Sequence, residues 1–203
     1  MRGLMVSAIA TLALVVGCAE ESSAPSPGSA LPERAGVIQR KGIPMTLLGP
    51  ELRVGSQAPD FTAVDTNMKL RSPAEFRGKV VIISSVPSLD TPVCNLQTLR
   101  FNEEAAKLGP EVVILTLSAD LPFAQKRWCD HAGVDKVICL SDYRDRAFGE
   151  AYGLVIKERM LLARAVLVID RQGVVRYVQI VKEQFSEPDY HAVLSAVKEV
   201  VNE

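Results

Sequence analysis

Apolar residues along this chain fall into two rhythms. Short runs rich in Val and Ile come first: residues 79–86 (KVVIISSV), 111–118 (EVVILTLS), 137–140 and 165–170 (AVLVID). Continuous runs of this length, bounded by turn residues, are the pattern of strands buried on both faces. Between them the spacing turns helical. Residues 92 to about 108 are closed by Gly109-Pro110, 122 to about 132 by Gly133, and 145–152 by Gly153. Two of these segments open on proline, which suits a helix start as glycine suits its end. Residues 43–48 and 61–64 read as short early strands. Residues 165–170 and 174–180 flank Arg171-Gln172-Gly173, a three-residue hairpin loop with glycine where positive φ is wanted. After Pro188, Tyr190, Val193, Leu194, Val197, Val200 and Val201 recur at helical spacing, so one face of a last helix must cover the sheet.

The order β-α-β-α-β-α-β-β-α predicts an α/β domain: a mixed central sheet flanked by helices, behind an N-terminal strand or hairpin extension. This order is similar to that of the thioredoxin-like fold, a likeness of fold that carries no function by itself.

The N-terminus follows neither rhythm. Residues 4–16 are apolar but for Ser7 and Thr11, too few to span a bilayer but the right length for the core of a secretory signal. The run ends in Val15-Val16-Gly17-Cys18, which resembles a bacterial lipobox, with Cys18 as the lipidated residue. The sequence therefore predicts a signal peptide over 1–17, a lipidated Cys18 and flexible Ser/Pro-rich tether over 18–36, and the folded domain over 37–203. The expected address is the bacterial cell envelope, held to the membrane by lipid on the periplasmic side, or otherwise exported.

Composition narrows the chemistry. With 23 basic against 24 acidic residues in 203, the net charge is −1, which argues against a nucleic-acid partner. The 48% hydrophobic and 23% charged content is that of an ordinary globular chain. Four cysteines are too few for a disulfide-stapled scaffold, and no C-x-x-C occurs, so the usual dithiol of a thioredoxin-type oxidoreductase is missing. Cys129, His131 and Cys139 could cluster around a metal, but C-x-H-x₇-C is not a usual zinc spacing. No metal or cofactor is expected.

Cys94 is the informative cysteine. If Pro92 opens its helix, Thr91 is the N-cap and Cys94 sits in the first turn. Unpaired backbone N–H groups and the positive end of the helix dipole then lie beside the sulfur, and both stabilise negative charge. The bland alternative is a small buried hydrophobe near an ordinary Thr-Pro cap.

Here a resemblance becomes specific. Pro87-x-x-x-Thr91-x-x-Cys94, at the end of a buried strand, resembles the peroxidatic motif of peroxiredoxins. The strings VPSLDTPVC, SADLPFAQKRWC, LLARAVLVID and EPDYHAVL are together similar to the thiol peroxidase family of atypical two-cysteine peroxiredoxins. The resemblance implies a peroxidase that reduces hydrogen peroxide and organic hydroperoxides. It makes Cys94 the attacking cysteine, Thr91 the hydroxyl that orients peroxide and thiolate, and Pro87 the shield against water. Arg164 becomes the arginine that stabilises charge; its alternative is a structural ion pair with a carboxylate. Cys129 becomes the resolving cysteine of an intramolecular Cys94–Cys129 disulfide, which requires local rearrangement because disulfide Cα atoms lie within about 7 Å. Cys139 matches no role and reads as core packing. The implied reductant is thioredoxin or an envelope thioredoxin-like protein, and the implied assembly a homodimer. The competing reading is an exported thiol-disulfide exchange protein or a silent thioredoxin-like adaptor.

Overall fold

A computed structural model describes residues 30–203. The signal segment, Cys18 and most of the tether lie outside the described residues. A first strand, β1 (Glu33–Arg40), pairs antiparallel with β2 (Ile43–Leu48). This strand begins before Val37, the domain start read from sequence, and takes in residues assigned there to the tether. Residues 33–36 look like tether because most are exposed and small or charged; what orders them is pairing along β2.

Then follow β3 (Ala63–Asp65), β4 (Leu70–Arg71), β5 (Val80–Ser85), α1 (Pro92–Ala105), β6 (Val112–Ser118), α2 (Pro122–Ala132) and β7 (Ile138–Ser141). The chain continues with α3 (Ala147–Ala151), β8 (Val155–Ile156), β9 (Leu161–Leu162), β10 (Ala165–Ile169), β11 (Val175–Ile180) and α4 (Tyr190–Asn202). The central sheet has the order β11-β10-β5-β6-β7-β3-β4. Its core, β5-β6-β7, is parallel, while β10 and β3 run antiparallel to their neighbours on either side. The mixed sheet expected from the element order is present. A second sheet, β1-β2-β8-β9, contains two strands of only two residues each, too short to leave a periodic signal.

Alternation along β5 builds the core. Val80 and Ile82 point to one face, with Phe101 of α1 and Val193, Val197 and Val200 of α4. Val81 and Ile83 point to the other, where Phe148 and Tyr152 pack with Phe61. At roughly 25 cal/mol per Å² of buried apolar surface, such two-sided burial is the main force fixing the register of β5.

Helix ends differ modestly from expectation. The first helix stops at Ala105, because both Lys107 and Leu108 donate to the Glu104 carbonyl in a tightened last turn. The third begins only at Ala147, after Arg146 at φ 52°. Gly133 closes α2 in the left-handed region, and Gly173 takes φ 82° in the β10–β11 hairpin.

Candidate active site

The chain leaves β5 at Ser85, runs through Val86 and Pro87, and enters α1 at Pro92. This loop is tied down at its middle. Leu89 is buried, and its backbone N–H donates to the Asp120 carboxylate at 2.8 Å; Ser118 donates to the same oxygen. The loop that presents Cys94 is thereby pinned to the loop that opens α2.

Cys94 occupies the third position of α1 and is fully buried. The buried stripe of that helix is Cys94, Gln97, Thr98, Phe101 and Glu104. It is unusually polar for a face turned to the sheet, which signals a built network. Thr91 stands at the N-cap position, but its side chain makes no capping bond; its hydroxyl donates instead to the Ser88 carbonyl at 2.9 Å. The ordinary structural reason for a threonine here is therefore absent, and its side chain lines a pocket.

Arg164 is the centre of the network. It lies just before β10 and is 2% exposed. Its Nη2 donates to Cys94 Sγ at 3.3 Å and to the Gln184 carbonyl at 3.1 Å; Nε reaches the same carbonyl at 3.2 Å. Nη1 donates to Gln97 Oε1 at 2.7 Å, and Gln97 in turn donates to Ser84 Oγ at 2.8 Å. Among the described residues no carboxylate pairs with Arg164, so the structural ion pair is not what holds it. A guanidinium stays charged at any physiological pH, and burying it unpaired costs several kcal/mol. Its other two partners, the Gln97 side-chain amide and the Gln184 backbone carbonyl, are neutral. The anion this charge can stabilise is one formed at Cys94 sulfur.

A cavity of about 230 Å³ opens above this arrangement, lined by Pro87, Thr91, Val93 and Arg164 with Met45, Ile156, Leu161 and Phe185. Its wall is mostly apolar, with Arg40 and Arg159 adding positive charge. Of the five residues assigned from sequence, the structure brings four together: Cys94 and Arg164 in contact, Thr91 and Pro87 at the same cavity.

Cys129 is elsewhere. It lies in the last turn of α2, half-buried, and its sulfur is 3.1 Å from that of Cys139 on β7. The hydrogen bond between the sulfurs, then burial, raises the Cys139 thiol well above the ordinary range. The same bond lowers Cys129. Ser84, Thr116 and Cys139 sit side by side on β5, β6 and β7. At about 4.8 Å per strand, the Ser84 side of the sheet, where Gln97 and Cys94 cluster, is roughly 10 Å from Cys139.

The chain belongs to the redoxin family. That family's sequence pattern matches residues 53–194. A thiol peroxidase of Bacillus subtilis is 55% identical over 164 residues, covering 81% of this chain and 98% of the relative. One from Staphylococcus aureus is 51% identical, over 80% of this chain and 98% of its own length. Among solved structures, a peroxiredoxin-like protein from Aquifex aeolicus superposes with a TM-score of 0.77 at 42% identity, covering 82% of this chain and 98% of its own. The thiol peroxidase from Chromobacterium violaceum, at 21% identity and a TM-score of 0.73, shares the fold. Within the family this chain stands among the thiol peroxidases.

Sequence reasoning missed Gln97 and Gln184. Gln97 left a usable signal, one turn after Cys94 on the same helix face. Gln184 left none, since it follows β11 in an irregular segment and is placed by bonding to Arg164 and Val181.

Proposed function

We propose that the chain is a thiol-dependent peroxidase acting on hydrogen peroxide and organic hydroperoxides through Cys94. The observation that carries this reading is the buried Arg164 guanidinium, free of any carboxylate among the described residues and 3.3 Å from Cys94 Sγ. The Cys94 thiolate attacks the terminal peroxide oxygen; the O–O bond breaks, leaving a sulfenic acid and an alkoxide or hydroxide that takes up a proton. Arg164 stabilises the charge on both sides of that step. The Thr91 hydroxyl orients the peroxide at the cavity, and Pro87 keeps water from the sulfur. The apolar wall of Met45, Ile156, Leu161 and Phe185 suits the organic part of an alkyl hydroperoxide.

Cys129, lowered by its bond to Cys139, then attacks the sulfenic sulfur; hydroxide leaves and is protonated to water, giving the Cys94–Cys129 disulfide. Because Cys94 is held in the first turn of α1 against Arg164 while Cys129 sits on α2 against Cys139 of β7, that turn must unwind for this to happen. A thioredoxin-type protein returns both thiols. In the cell envelope, where Cys18 would anchor the chain, that reductant is an envelope thioredoxin-like protein. The homodimer belongs to the same proposal.

Peroxide consumption by the reduced protein tests the reading. Cys94→Ser should abolish it. Cys129→Ser should react once and accumulate a sulfenic acid that a dimedone-type probe traps. Steady turnover in Cys94→Ser would overturn the assignment. Reduction of insulin by the parent protein, without peroxide consumption, would favour the exchange-protein alternative.

A further inference from the structure

We propose that Cys139 is a third redox cysteine, which displaces Cys94 from the Cys94–Cys129 disulfide and stores the oxidation as a Cys129–Cys139 disulfide. The inference rests on the peroxidase reading and extends it.

Geometry comes first. The sulfurs of Cys129 and Cys139 are already within 3.1 Å, one on the last turn of α2 and the other in the second position of β7. Closing that gap to a covalent bond takes about 1 Å of movement. Reaching Cys94 takes far more, because Cys94 is held in the first turn of α1 beside Arg164 while Cys129 meets Cys139 on β7, two strands along the same sheet face from β5. The two disulfides therefore differ in what they break. A Cys94–Cys129 bond pulls Cys94 away from Arg164 and disturbs the helix turn that carries Gln97. A Cys129–Cys139 bond leaves α1 wound and the Arg164–Gln97–Ser84 network intact. Recovery of those buried hydrogen bonds drives the exchange from the first disulfide to the second.

The chemistry balances without an added oxidant. The Cys139 sulfur attacks the Cys129 sulfur of the Cys94–Cys129 disulfide and loses its proton to water in the adjoining cleft. The Cys129–Cys139 bond forms, the Cys94–Cys129 bond breaks, and Cys94 leaves as thiolate beside Arg164. Cys139 is oxidised and Cys94 reduced. Formation of the first disulfide removes the sulfur–sulfur hydrogen bond to Cys129, the largest influence raising the Cys139 thiol. The acceptor site is also reachable: Cys129 and Cys139 line an open cleft of about 260 Å³ whose rim carries Asp65, Arg71, Lys126 and Asp130. An oxidised pair there faces solvent and a reductant, whereas Cys94 is fully buried.

One consequence is countable. A chain that moves its disulfide off Cys94 has a free peroxidatic thiol again, so without reductant it consumes about two peroxides before stopping. The second ends as a Cys94 sulfenic acid, since no free resolving thiol is left. Trypsin separates the three cysteines, into residues 80–100, 128–136 and 137–144. The test treats the reduced full-length protein with one equivalent of hydrogen peroxide, blocks free thiols by alkylation in acid, and maps linked peptides without reduction. The expected product joins 128–136 to 137–144, with Cys94 alkylated. Cys139→Ser should instead yield the Cys94–Cys129 link, and its peroxide stoichiometry should fall from about two to about one; Cys139→Ala serves the same purpose should serine destabilise the buried strand. A parent protein that retains only the Cys94–Cys129 link after prolonged incubation, with stoichiometry unchanged by the Cys139 substitution, overturns the relay and leaves the peroxidase reading standing. No peroxide consumption at all overturns both.

Discussion

Replacing Arg164 by methionine keeps an unbranched side chain of similar length and removes the charge. The substitution loses on two separate counts. At the reacting centre it deletes the Nη2 contact to Cys94 sulfur, the single charged donor to that sulfur among the described residues. Loss of one such preorganised donor costs about 100- to 1000-fold in rate, or roughly 2.7–4 kcal/mol. In the fold it strips a donor from Gln97 Oε1 and two from the Gln184 carbonyl. Each buried acceptor so orphaned costs roughly 1–3 kcal/mol. The variant should therefore melt earlier as well as react more slowly, and the two effects must be measured apart. The assay is the second-order rate constant for single-turnover consumption of peroxide, taken where the thermal melt shows the variant fully folded. Gln97→Glu is the companion perturbation. It leaves the shape nearly unchanged but sets a carboxylate against Arg164 Nη1, so the guanidinium charge is shared with an oxygen anion. A tenfold or larger fall in rate, without loss of stability, is the expected result. Rate constants within about threefold of the parent in both folded variants would refute the argument. Arg164 would then be a structural residue only.

Asp142 predicts a pH effect. Burial pushes its carboxyl up to about 6, even though it accepts from the backbone N–H groups of Phe148 and Gly149. The folded state then holds a proton between about pH 4 and pH 6 that the unfolded chain has released, so this group makes folding less favourable as pH rises through that window, by roughly 3 kcal/mol in all. Urea denaturation of the parent and Asp142→Asn at about pH 4.5 and 7 should show the variant gaining on the parent at the higher pH; a constant difference would remove Asp142 from the account. At the other end of the chain, Cys18→Ala should release a membrane-bound protein into the soluble fraction, with intact mass showing lipid on the parent only. A soluble parent with an unmodified N-terminus would end the anchor proposal while leaving the peroxidase untouched.

Most of the central sheet was legible because two-sided burial writes itself into the chain as unbroken β-branched runs. Val80–Ser85 and Ala165–Ile169 are buried at every position, and their shortness and β-branched content mark them as strands. Helix ends were legible where chemistry fixes them, as at Pro92 and Gly133, and were misjudged where a tightened turn around Glu104 does the work. The strands β8 and β9 left no trace. At two residues each they exist because β2 offers an edge for Val155 and Ile156, which is a property of the assembled fold.

The site divides along the same line. Cys94 could be read from its own segment, since a Thr-Pro pair and a cysteine within four residues define a helix start and what sits there, even though the Thr91 hydroxyl makes no capping bond. Arg164 was identifiable by resemblance, but its meaning depended on what it does not meet, and a chain with 24 acidic residues gives no sign of which cation is left without one. Its surroundings explain the choice of amides. A glutamate at position 97 would accept from Arg164 Nη1 as glutamine does, yet it would neutralise the charge that the sulfur needs. Glutamine satisfies the geometry and leaves the charge uncommitted. Cys139 is the converse case. A cysteine inside a buried strand is ordinary core packing by composition, and Cys139 is indeed packed there. Its second property, a sulfur against Cys129, arises because α2 lies over β7 and ends one turn past Cys129, at Gly133. Ten residues of sequence separate the pair, and only the crossing of helix over strand brings them together.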